Sequence, residues 1–388
     1  MTNNKDKKVL NVPNLRFPEF TEEWERCSLG HVTDFVKERI STDKLTLANY
    51  VSTENMKSDF GGINPAISIP NNTNVIHYKK GDVLLSNIRP YLRKVWAANS
   101  DGGCSTDVFV FRAKSISPSF LHYIMANDTF INYVMSGAKG VKMPRGDKEQ
   151  MLKYVFSIPR IEEQYKISRL LHLLDERIAT QNKIIEKLKS LIKGLNNTLQ
   201  YGTGGKSVCL GDILLERSER SRTNNQHEVL SSTVKGIFSQ REYFSKDIAS
   251  ENNVGYKIIR LYDVVLSPQN LWMGNINYND RFEIGIVSPS YKVFSIADGY
   301  DNQFVASMLK THRALYSYMM VSEQGASIVR RNLNMEAFSQ LVFKIPSLDK
   351  QREIGYAISL LKSQLKTANK IIKAYTSQKQ YLLRQMFI

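Results

Sequence analysis

The chain of 388 residues contains one kind of long segment twice, and this repeat constrains the fold more than any other feature. Residues 154–199 align with residues 341–386. An Ile-Pro pair and a glutamine recur in register, as Ile158-Pro159 with Gln164 and as Ile345-Pro346 with Gln351. A fainter repeat aligns residues 81–86 with residues 262–267. The chain therefore alternates a globular part and a long segment, twice.

Both long segments carry apolar residues at alternating steps of four and three. The first series is Ile167, Leu171, Leu174, Ile178, Gln181, Ile185, Leu188, Ile192, Leu195 and Leu199, and the second is Ile354, Ile358, Leu361, Leu365, Ala368, Ile372, Tyr375, Lys379, Leu382 and Met386. This period predicts the seam of a coiled coil. The alternative is a pair of amphipathic helices, each packed on its own domain. Ten seam positions without a proline favour the coiled coil, because most core helices are shorter.

The order of the segments sets the expected architecture. If the two helices pair, the second must run antiparallel to the first, with a globular domain at each end of a two-helix rod. The chain end, residues 385–388, would then return to the first domain. We expect domain 1 at 1–158, helix 1 at 159–202, domain 2 at 203–345 and helix 2 at 346–388.

The globular parts show mainly strand patterns followed by helical spacing. Residues 75–99 hold two apolar runs, 107–113 read as a strand, and 120–136 have helical spacing. The second part repeats this order, with a strand pattern at 291–296 and helical spacing at 303–320. The predicted class is α+β, with a mostly antiparallel sheet and one or two helices on it in each part.

Composition narrows the possible partners and compartments. The formal net charge is +16, which favours a polyanionic partner such as nucleic acid. The three cysteines lie far apart and form no CxxC pair, so a disulfide scaffold is not expected. We expect no signal peptide, no membrane-spanning helix and a cytoplasmic location.

Catalytic and cofactor motifs do not emerge from the sequence. Gly205-Lys206-Ser207 resembles the end of a phosphate-binding loop, but Gln200 stands where the first glycine is required. The six histidines are scattered, with no pair at metal-ligand spacing. No base-methyltransferase motif is found, and the only acid-x-Lys spacing typical of a nuclease is at residues 6–8. We expect that the chain itself is not an enzyme and holds no metal or cofactor.

Basic, aromatic and amide side chains cluster at matching places in both halves, and these clusters are the candidate nucleic-acid contacts. They are Lys79, Lys80, Arg89, Tyr91, Arg93 and Lys94; Lys139, Lys142 and Arg145; Gln269, Asn270 and Trp272; and Arg330, Arg331 and Asn332. Other interpretations are solvated charged faces, a coiled-coil scaffold whose end domains bind proteins, or an RNA-binding module.

Three parts of the sequence together resemble the specificity subunit of type I restriction-modification systems. They are residues 11–32 (NVPNLRFPEFTEEWERCSLGHV), the two Ile-Pro…Gln…Leu-Leu segments at 158–174 and 345–361, and LLRQMF at 382–387. The first long segment ends in Leu199-Gln200-Tyr201-Gly202 where the second ends in Gln385-Met386-Phe387, a departure that implies different docking at the two ends.

The resemblance implies a fold and a function in bacterial defence. Each globular part would be a target recognition domain that reads one half of a split double-stranded DNA site, and the helix pair would set the gap. Two modification subunits would bind this subunit and methylate adenine with S-adenosylmethionine. Two restriction subunits would add translocation and cleavage driven by ATP and Mg²⁺. None of these activities would reside in this chain.

Overall fold

The computed structural model describes residues 11–201, 204–243, 252–324 and 331–388. These residues fall into two compact units. Unit 1 comprises Met1–Thr180 and Ile372–Ile388, and unit 2 comprises Gln181–Ile371. Each unit therefore combines a globular part with one half of each long segment.

Unit 1 contains short strands followed by helices. The strands are β1 (Glu25–Ser28), β2 (Thr33–Phe35), β3 (Arg39–Ser41), β4 (Tyr50–Val51), β5 (Asn74–Tyr78), β6 (Val83–Ser86), β7 (Val95–Ala97), β8 (Gly102–Cys104), β9 (Val108–Ala113) and β10 (Val155–Ile158). The helices are α1 (Leu29–Val32), α2 (Pro118–Met125), α3 (Asp128–Ser136), α4 (Lys148–Leu152) and the start of α5 (Ile161–Tyr201), with 3₁₀ turns at Thr42–Lys44 and Pro90–Leu92.

Unit 2 repeats this order. Its strands are β11 (Lys206–Cys209), β12 (Leu214–Arg217), β13 (Leu230–Thr233), β14 (Gly236–Ser239), β15 (Lys257–Arg260), β16 (Val264–Leu266), β17 (Ile276–Tyr278), β18 (Ile284–Val287), β19 (Lys292–Ile296), β20 (Ser322–Gln324), β21 (Arg331–Leu333) and β22 (Val342–Ile345). Its helices are α6 (Leu210–Ile213), α7 (Gln240–Tyr243), α8 (Asn302–Met308), α9 (His312–Met320), α10 (Met335–Ser339) and most of α11 (Leu348–Gln385), with a 3₁₀ turn at Leu271–Met273.

The same central sheet forms in both units. Its strand order is β2-β9-β6-β7 in unit 1 and β12-β19-β16-β17 in unit 2, and every pairing in it is antiparallel. A two-stranded sheet joins the first and last strands of each globular part, β1-β10 and β11-β22. Outside this shared frame the units differ, because unit 1 has a second four-stranded sheet, β3-β5-β8-β4, with a parallel β4-β8 pair.

The predicted α+β class, with a mostly antiparallel sheet, is confirmed in both units. Each stretch with helical spacing forms two helices, within the one or two that were expected. In unit 1 the break lies at Asn127, whose side chain accepts a hydrogen bond from the backbone of Thr129 (3.1 Å). In unit 2 the second helix is capped by Thr311, which accepts from the backbone of Ala314 (3.3 Å). Such side-chain caps compete with a continuous helix.

The long helices pair antiparallel within unit 1, as predicted. Leu171 near the start of α5 and Leu382 near the end of α11 share one hydrophobic core with α2 and α3. Lys379, the charged exception in the second seam, donates a 2.5 Å hydrogen bond to Asp175. Its ammonium also lies 5.6 Å from the ring centre of Tyr123. The charge is thus paired at the edge of the seam.

The same antiparallel pairing recurs within unit 2. Gln181 of α5 donates to the carbonyl of Ala368 in α11 (3.3 Å), and Leu195 packs on the core that contains Ile358. The predicted seam positions whose side chains are described are buried or half-buried: Ile167, Leu171, Leu174, Ile178, Ile185, Leu188, Ile192 and Leu195 in α5, and Ile354, Ile358, Leu361, Leu365, Ile372 and Leu382 in α11.

A buried glutamine attaches each long helix to its own globular part. Gln164 accepts from the backbone of Ser117 (2.9 Å), where α2 begins, and donates to the carbonyl of Pro159 (2.9 Å). Gln351 makes the same two bonds, accepting from Asp301 at the start of α8 (3.0 Å) and donating to Pro346 (3.0 Å). Both side chains are almost fully buried, so these bonds fix the direction in which each helix leaves its domain.

No helix in the described part of the chain is long and apolar enough to cross a membrane. Gly205-Lys206-Ser207 leads into and begins β11, which pairs with β22, and a Cβ at Gly205 would lie 2.4 Å from the carbonyl oxygen of Ile345. Gly205 therefore allows β11 and β22 to pack closely.

The glutamine bonds generate a stability prediction. Gln351→Leu removes both bonds and leaves a buried amide and a buried carbonyl unpaired, so we expect a loss of about 2–4 kcal/mol in the free energy of unfolding. Urea unfolding followed by circular dichroism measures it. Gln364→Leu is the matched control, because Gln364 lies exposed on the same helix. Equal effects of the two substitutions would contradict the role assigned to Gln351.

Candidate nucleic-acid interface

A 3₁₀ turn follows β6 in unit 1 and carries several of the candidate contacts. Pro90 begins it, and the residues on either side, Arg89 and Arg93, both have left-handed backbones (φ 51° and 54°). Left-handed non-glycine residues are uncommon and tend to mark functional segments. The side chain of Tyr91, at the centre of the turn, is 49% exposed.

Unit 2 builds the same turn after β16 from different residues. Leu271–Met273 form the 3₁₀ turn, and Gly274 ends it with φ 93°, at the position of Arg93. In this alignment Asn270 stands where unit 1 has Arg89, and Trp272 stands where it has Tyr91. The backbone is therefore shared while the side chains differ.

A second loop joins each turn through backbone hydrogen bonds. In unit 1 the amide of Arg89 donates to Pro144 (2.8 Å), and Gly146 donates to Asn87 (3.1 Å). Lys139 and Arg145 exchange two further backbone bonds that close this second loop (2.9 Å each). The structure thus brings the two basic clusters of the first half together, although about fifty residues separate them in sequence.

The corresponding loop of unit 2 joins its turn in a similar way. The amide of Arg331 donates to the carbonyl of Gln269 (3.1 Å), and its guanidinium lies 5.0 Å from the ring centre of Trp272. Asn332 is exposed on β21. Arg330, also a candidate, lies outside the described residues. Gln269, Asn270, Trp272, Arg331 and Asn332 therefore form one surface.

Buried polar atoms without a hydrogen-bond partner lie at this junction in both units. They are Asn87 Oδ1 and Arg89 Nε in unit 1, and Asn270 Oδ1 and Arg331 Nε in unit 2. Unpartnered buried polar groups are rare in folded proteins and call for a water or a ligand. At the junction of the turn and the second loop, each unit thus has an amide oxygen and a guanidinium nitrogen without a hydrogen-bond partner.

Several candidate cations already bind acids or carbonyls of their own unit. Arg93 pairs with Asp128 (2.6 Å), Lys94 donates to the carbonyl of Thr53 (2.5 Å), Lys139 pairs with Asp147 (2.9 Å), and Arg145 lies 3.4 Å from Asp107. The hydrogen bond from Lys139 holds the pKa of Asp147 below its usual value. These exposed pairs are weak, so a phosphate can replace the carboxylate at little cost.

Lys79 and Lys80 lie away from the turn, at the opposite end of β6. Lys79 pairs with Glu38 (3.4 Å), and the backbone of Lys80 donates to Asp101 (2.8 Å). Nearby, the buried Asp82 receives two 2.9 Å hydrogen bonds from Arg112. Arg112 also bonds Glu38 and so holds the pKa of Glu38 below its usual value. These ion pairs and hydrogen bonds stabilise the start of β6.

Unit 2 satisfies the equivalent buried carboxylate from another strand. Asp263 accepts from Arg217 of β12 (2.9 and 3.1 Å), whereas Arg112 comes from β9. Burial raises the pKa of Asp263, and the hydrogen bond from Arg260 lowers the pKa of Glu219. Both units thus pair a buried carboxylate with an arginine, but the arginine comes from a different strand in each unit.

Sequence reasoning missed two kinds of residue in this surface. Asn87 was not singled out, because only the fold shows that its Oδ1 is buried and unpaired. Val141 is completely exposed beside Lys142 at the tip of the second loop, and Met143 is half-exposed. An apolar side chain so exposed at a loop tip between basic residues is a candidate for contact with nucleic acid. Its position in a Gly-rich segment was the one sequence signal that could have identified it.

A family model for the type I restriction modification DNA specificity domain matches residues 21–190. This range spans the central sheet of unit 1, the turn at Pro90–Leu92, the second loop and the start of α5. The resemblance seen in the sequence motifs is therefore confirmed for residues 21–190, a little under half of the chain.

Curated relatives of this specificity domain carry the same description. The chain is 28% identical over 120 residues to the type I restriction enzyme EcoDI specificity subunit of Escherichia coli, covering 31% of this chain and 26% of that one. It is 24% identical over 212 residues to the MjaVIII specificity subunit of Methanocaldococcus jannaschii, covering 50% of this chain and 45% of that one. The matches thus span less than half the length of either relative.

A solved structure extends the likeness to the whole fold. The S subunit of a type I restriction-modification system from M. genitalium superimposes with a TM-score of 0.64 and 14% identity, covering 97% of this chain and 99% of that one. At this identity the comparison concerns the fold alone, and it includes the second globular part and both long helices.

Within the described residues, no group of three or more histidine, cysteine, aspartate or glutamate side chains is placed to hold a metal ion. His122 is a half-buried residue of α2, and burial of its ring lowers its pKa to about 4, so that it is neutral at physiological pH.

The buried carboxylate at the end of β6 away from the turn generates a second prediction. Asp82→Ala removes two hydrogen bonds of Arg112, which keeps only Glu38, and leaves the backbone amide of Lys79 unpaired, so we expect unit 1 to lose about 2–4 kcal/mol of stability. The control is Asp34→Ala, because Asp34 is exposed and its pairing with Lys114 is worth about 0–1 kcal/mol. Thermal unfolding measures both. A loss at Asp82 no larger than at Asp34 would contradict the assignment.

Proposed function

We propose that this chain is the DNA-binding specificity subunit of a type I restriction-modification complex, and that each unit reads one half of a bipartite double-stranded site. The observation that carries the proposal is the pair of matched 3₁₀ turns, each joined to a second loop at a junction with an unpaired amide oxygen and an unpaired guanidinium nitrogen. Their side chains differ, with Arg89 and Tyr91 in one unit and Asn270 and Trp272 in the other.

These side chains suit the edges of different base pairs. An arginine donates well to the two acceptors of guanine in the major groove, and an asparagine pairs with adenine N6 and N7. Exposed cations around the turns, such as Lys142, provide the salt-dependent phosphate contacts. A DNA site with two unlike halves would require this combination, in which the two turns share a backbone and carry different side chains.

The helix pair would set the gap between the half-sites and dock the modification subunits. Each long helix is bonded to its own reading unit through Gln164 or Gln351, so a unit cannot turn freely about the helix. Two readers multiply their discrimination, at about 1–3 kcal/mol per base pair, only when their spacing is fixed.

The chain would act in the cytoplasm as a non-catalytic subunit. Two modification subunits would supply adenine methylation with S-adenosylmethionine, and two restriction subunits would supply translocation and cleavage with ATP and Mg²⁺. A protein-binding scaffold and an RNA-binding module are the competing functions. Single-stranded RNA is usually bound by stacking on exposed aromatic rings, and at the turn of unit 2 the Trp272 ring is instead stacked by Arg331.

Direct reading by the turn predicts an effect limited to one half-site. Asn270→Ala should weaken binding to the cognate duplex by about 1–3 kcal/mol, or about 5- to 150-fold, because one bidentate base contact is lost. Binding to an unrelated duplex should stay within about twofold. Fluorescence anisotropy with the assembled modification complex measures both duplexes, and Asn369→Ala on α11 is the matched control.

Substituted duplexes then test which half is read. The penalty for altering the half-site assigned to unit 2 should disappear in Asn270→Ala, while that for the other half persists. If Asn270→Ala weakens cognate and unrelated duplexes alike, direct reading by the turn is wrong. A binding constant for duplex DNA that does not change with salt would favour the scaffold instead.

A further inference from the structure

Unit 2 contains an open cavity of about 480 Å³, bounded by α8, α11, β14 and β17. Five cationic side chains line it but only one carboxylate, that of Asp280. The cations are Lys235, Arg281, Lys310, Lys362 and Lys366. The cavity lies at the end of β17 away from the recognition turn, so it is separate from the surface described above.

Most of these cations have no acidic partner. Arg281 pairs with Glu242 (3.2 Å). Lys310 donates to the side-chain oxygen of Asn277 (2.5 Å), and Lys362 donates to the hydroxyl of Ser307 (3.3 Å). Across the described part of the chain, no carboxylate oxygen lies within 4 Å of the ammonium groups of Lys310, Lys362 or Lys366. Neutral oxygens orient Lys310 and Lys362, and the carboxylate of Asp280, the one acid in the lining, offsets only part of the positive charge.

The crowding of charge has a measurable consequence. The side chains of Lys310 and Lys362 are exposed overall, while their ammonium groups are partly buried against neighbouring side chains. This partial burial, together with the charge of Lys362, lowers the pKa of Lys310 to about 8. Burial also lowers the pKa of Lys362. A bound anion would remove the repulsion and favour full protonation of both lysines.

Unit 1 serves as an internal comparison, because the same fold is built there without these lysines. The two units can be aligned on their buried glutamines and on the starts of their short helices. In this alignment Ala126 takes the position of Lys310, Asp175 that of Lys362 and Ala179 that of Lys366. Asp175 is satisfied by the hydroxyl of Tyr123 (2.9 Å) and by Lys379. The fold therefore does not require the lysine cluster, and its presence in unit 2 needs another explanation.

We propose that the lysine cavity of unit 2 is a binding site for a phosphate group carrying two or more negative charges. Lysine ammonium groups are common phosphate ligands, and the volume is within the range of about 300–1,000 Å³ typical of ligand sites. The phosphate comes either from a free nucleotide or polyphosphate, or from a DNA backbone that passes unit 2. Only the second source rests on the proposed function.

The first arm of the test uses tripolyphosphate and ATP as probes in isothermal titration of the full chain. Wild type should bind, and the double variant Lys310→Met, Lys362→Met should bind about tenfold more weakly or worse, because two charge-assisted contacts are lost. Lys310→Arg keeps the charge and should retain binding. Lys206→Met, Lys344→Met, on the exposed faces of β11 and β22, removes the same two charges and is the charge-matched control, which should behave as wild type. Circular dichroism confirms folding of each variant.

The second arm measures binding to a duplex without the recognition site over a range of salt concentrations. If the phosphate belongs to DNA, the double variant should reduce the slope of log affinity against log salt by about 1–2, since each neutralised phosphate contributes about 0.9. A change in the first arm alone identifies a free phosphorylated ligand, and a change in the second alone identifies the DNA backbone. If the folded variant Lys310→Met, Lys362→Met matches Lys206→Met, Lys344→Met in both arms, the proposal is overturned, and reading by the turns is unaffected.

Discussion

The bonds of two buried glutamines are the constraint on which the rest of the structure depends. Gln164 and Gln351 each tie the first turn of a long helix to the first turn of a short helix that lies on the central sheet. The 3₁₀ turn follows a strand of that same sheet, so the glutamine, the sheet and the turn belong to one connected part of each unit. For the specificity subunit proposed above, a rigid connection of this kind would preserve the spacing between two half-sites.

The internal repeat separates what the fold requires from what function adds. The strand order, the 3₁₀ turn, the buried aspartate and the glutamine are present in both units and belong to the frame. The arginine that pairs with the buried aspartate is not part of this shared frame. Arg112 reaches Asp82 from one strand, and Arg217 reaches Asp263 from a different strand. The side chains on the turn and the lysines around Lys310 differ between the units. The shared fold therefore does not require these residues, and they are the candidates for a function specific to each unit.

The sequence predicted the long-range plan better than the local detail, for physical reasons. A 3.5-residue apolar period sustained over ten positions is set by local helix geometry, and chain connectivity then leaves only the antiparallel pairing. Sheet order depends on contacts between distant residues and was not predicted. Proximity in sequence grouped Lys79 and Lys80 with Arg89, but β6 places them at opposite ends of a strand. The unpaired oxygen of Asn87 depends on how two loops meet, which no local pattern reveals.

The claim that each unit reads its own half-site is tested most directly by mapping methylated adenines across a genome. The chain would be expressed with its modification subunits, once intact and once with the β11-to-β22 region (Lys206–Ile345) replaced by that of another specificity subunit. Our account predicts that one half of the methylated motif changes while the other half is retained. Loss of both halves, or a motif that does not change at all, would contradict it.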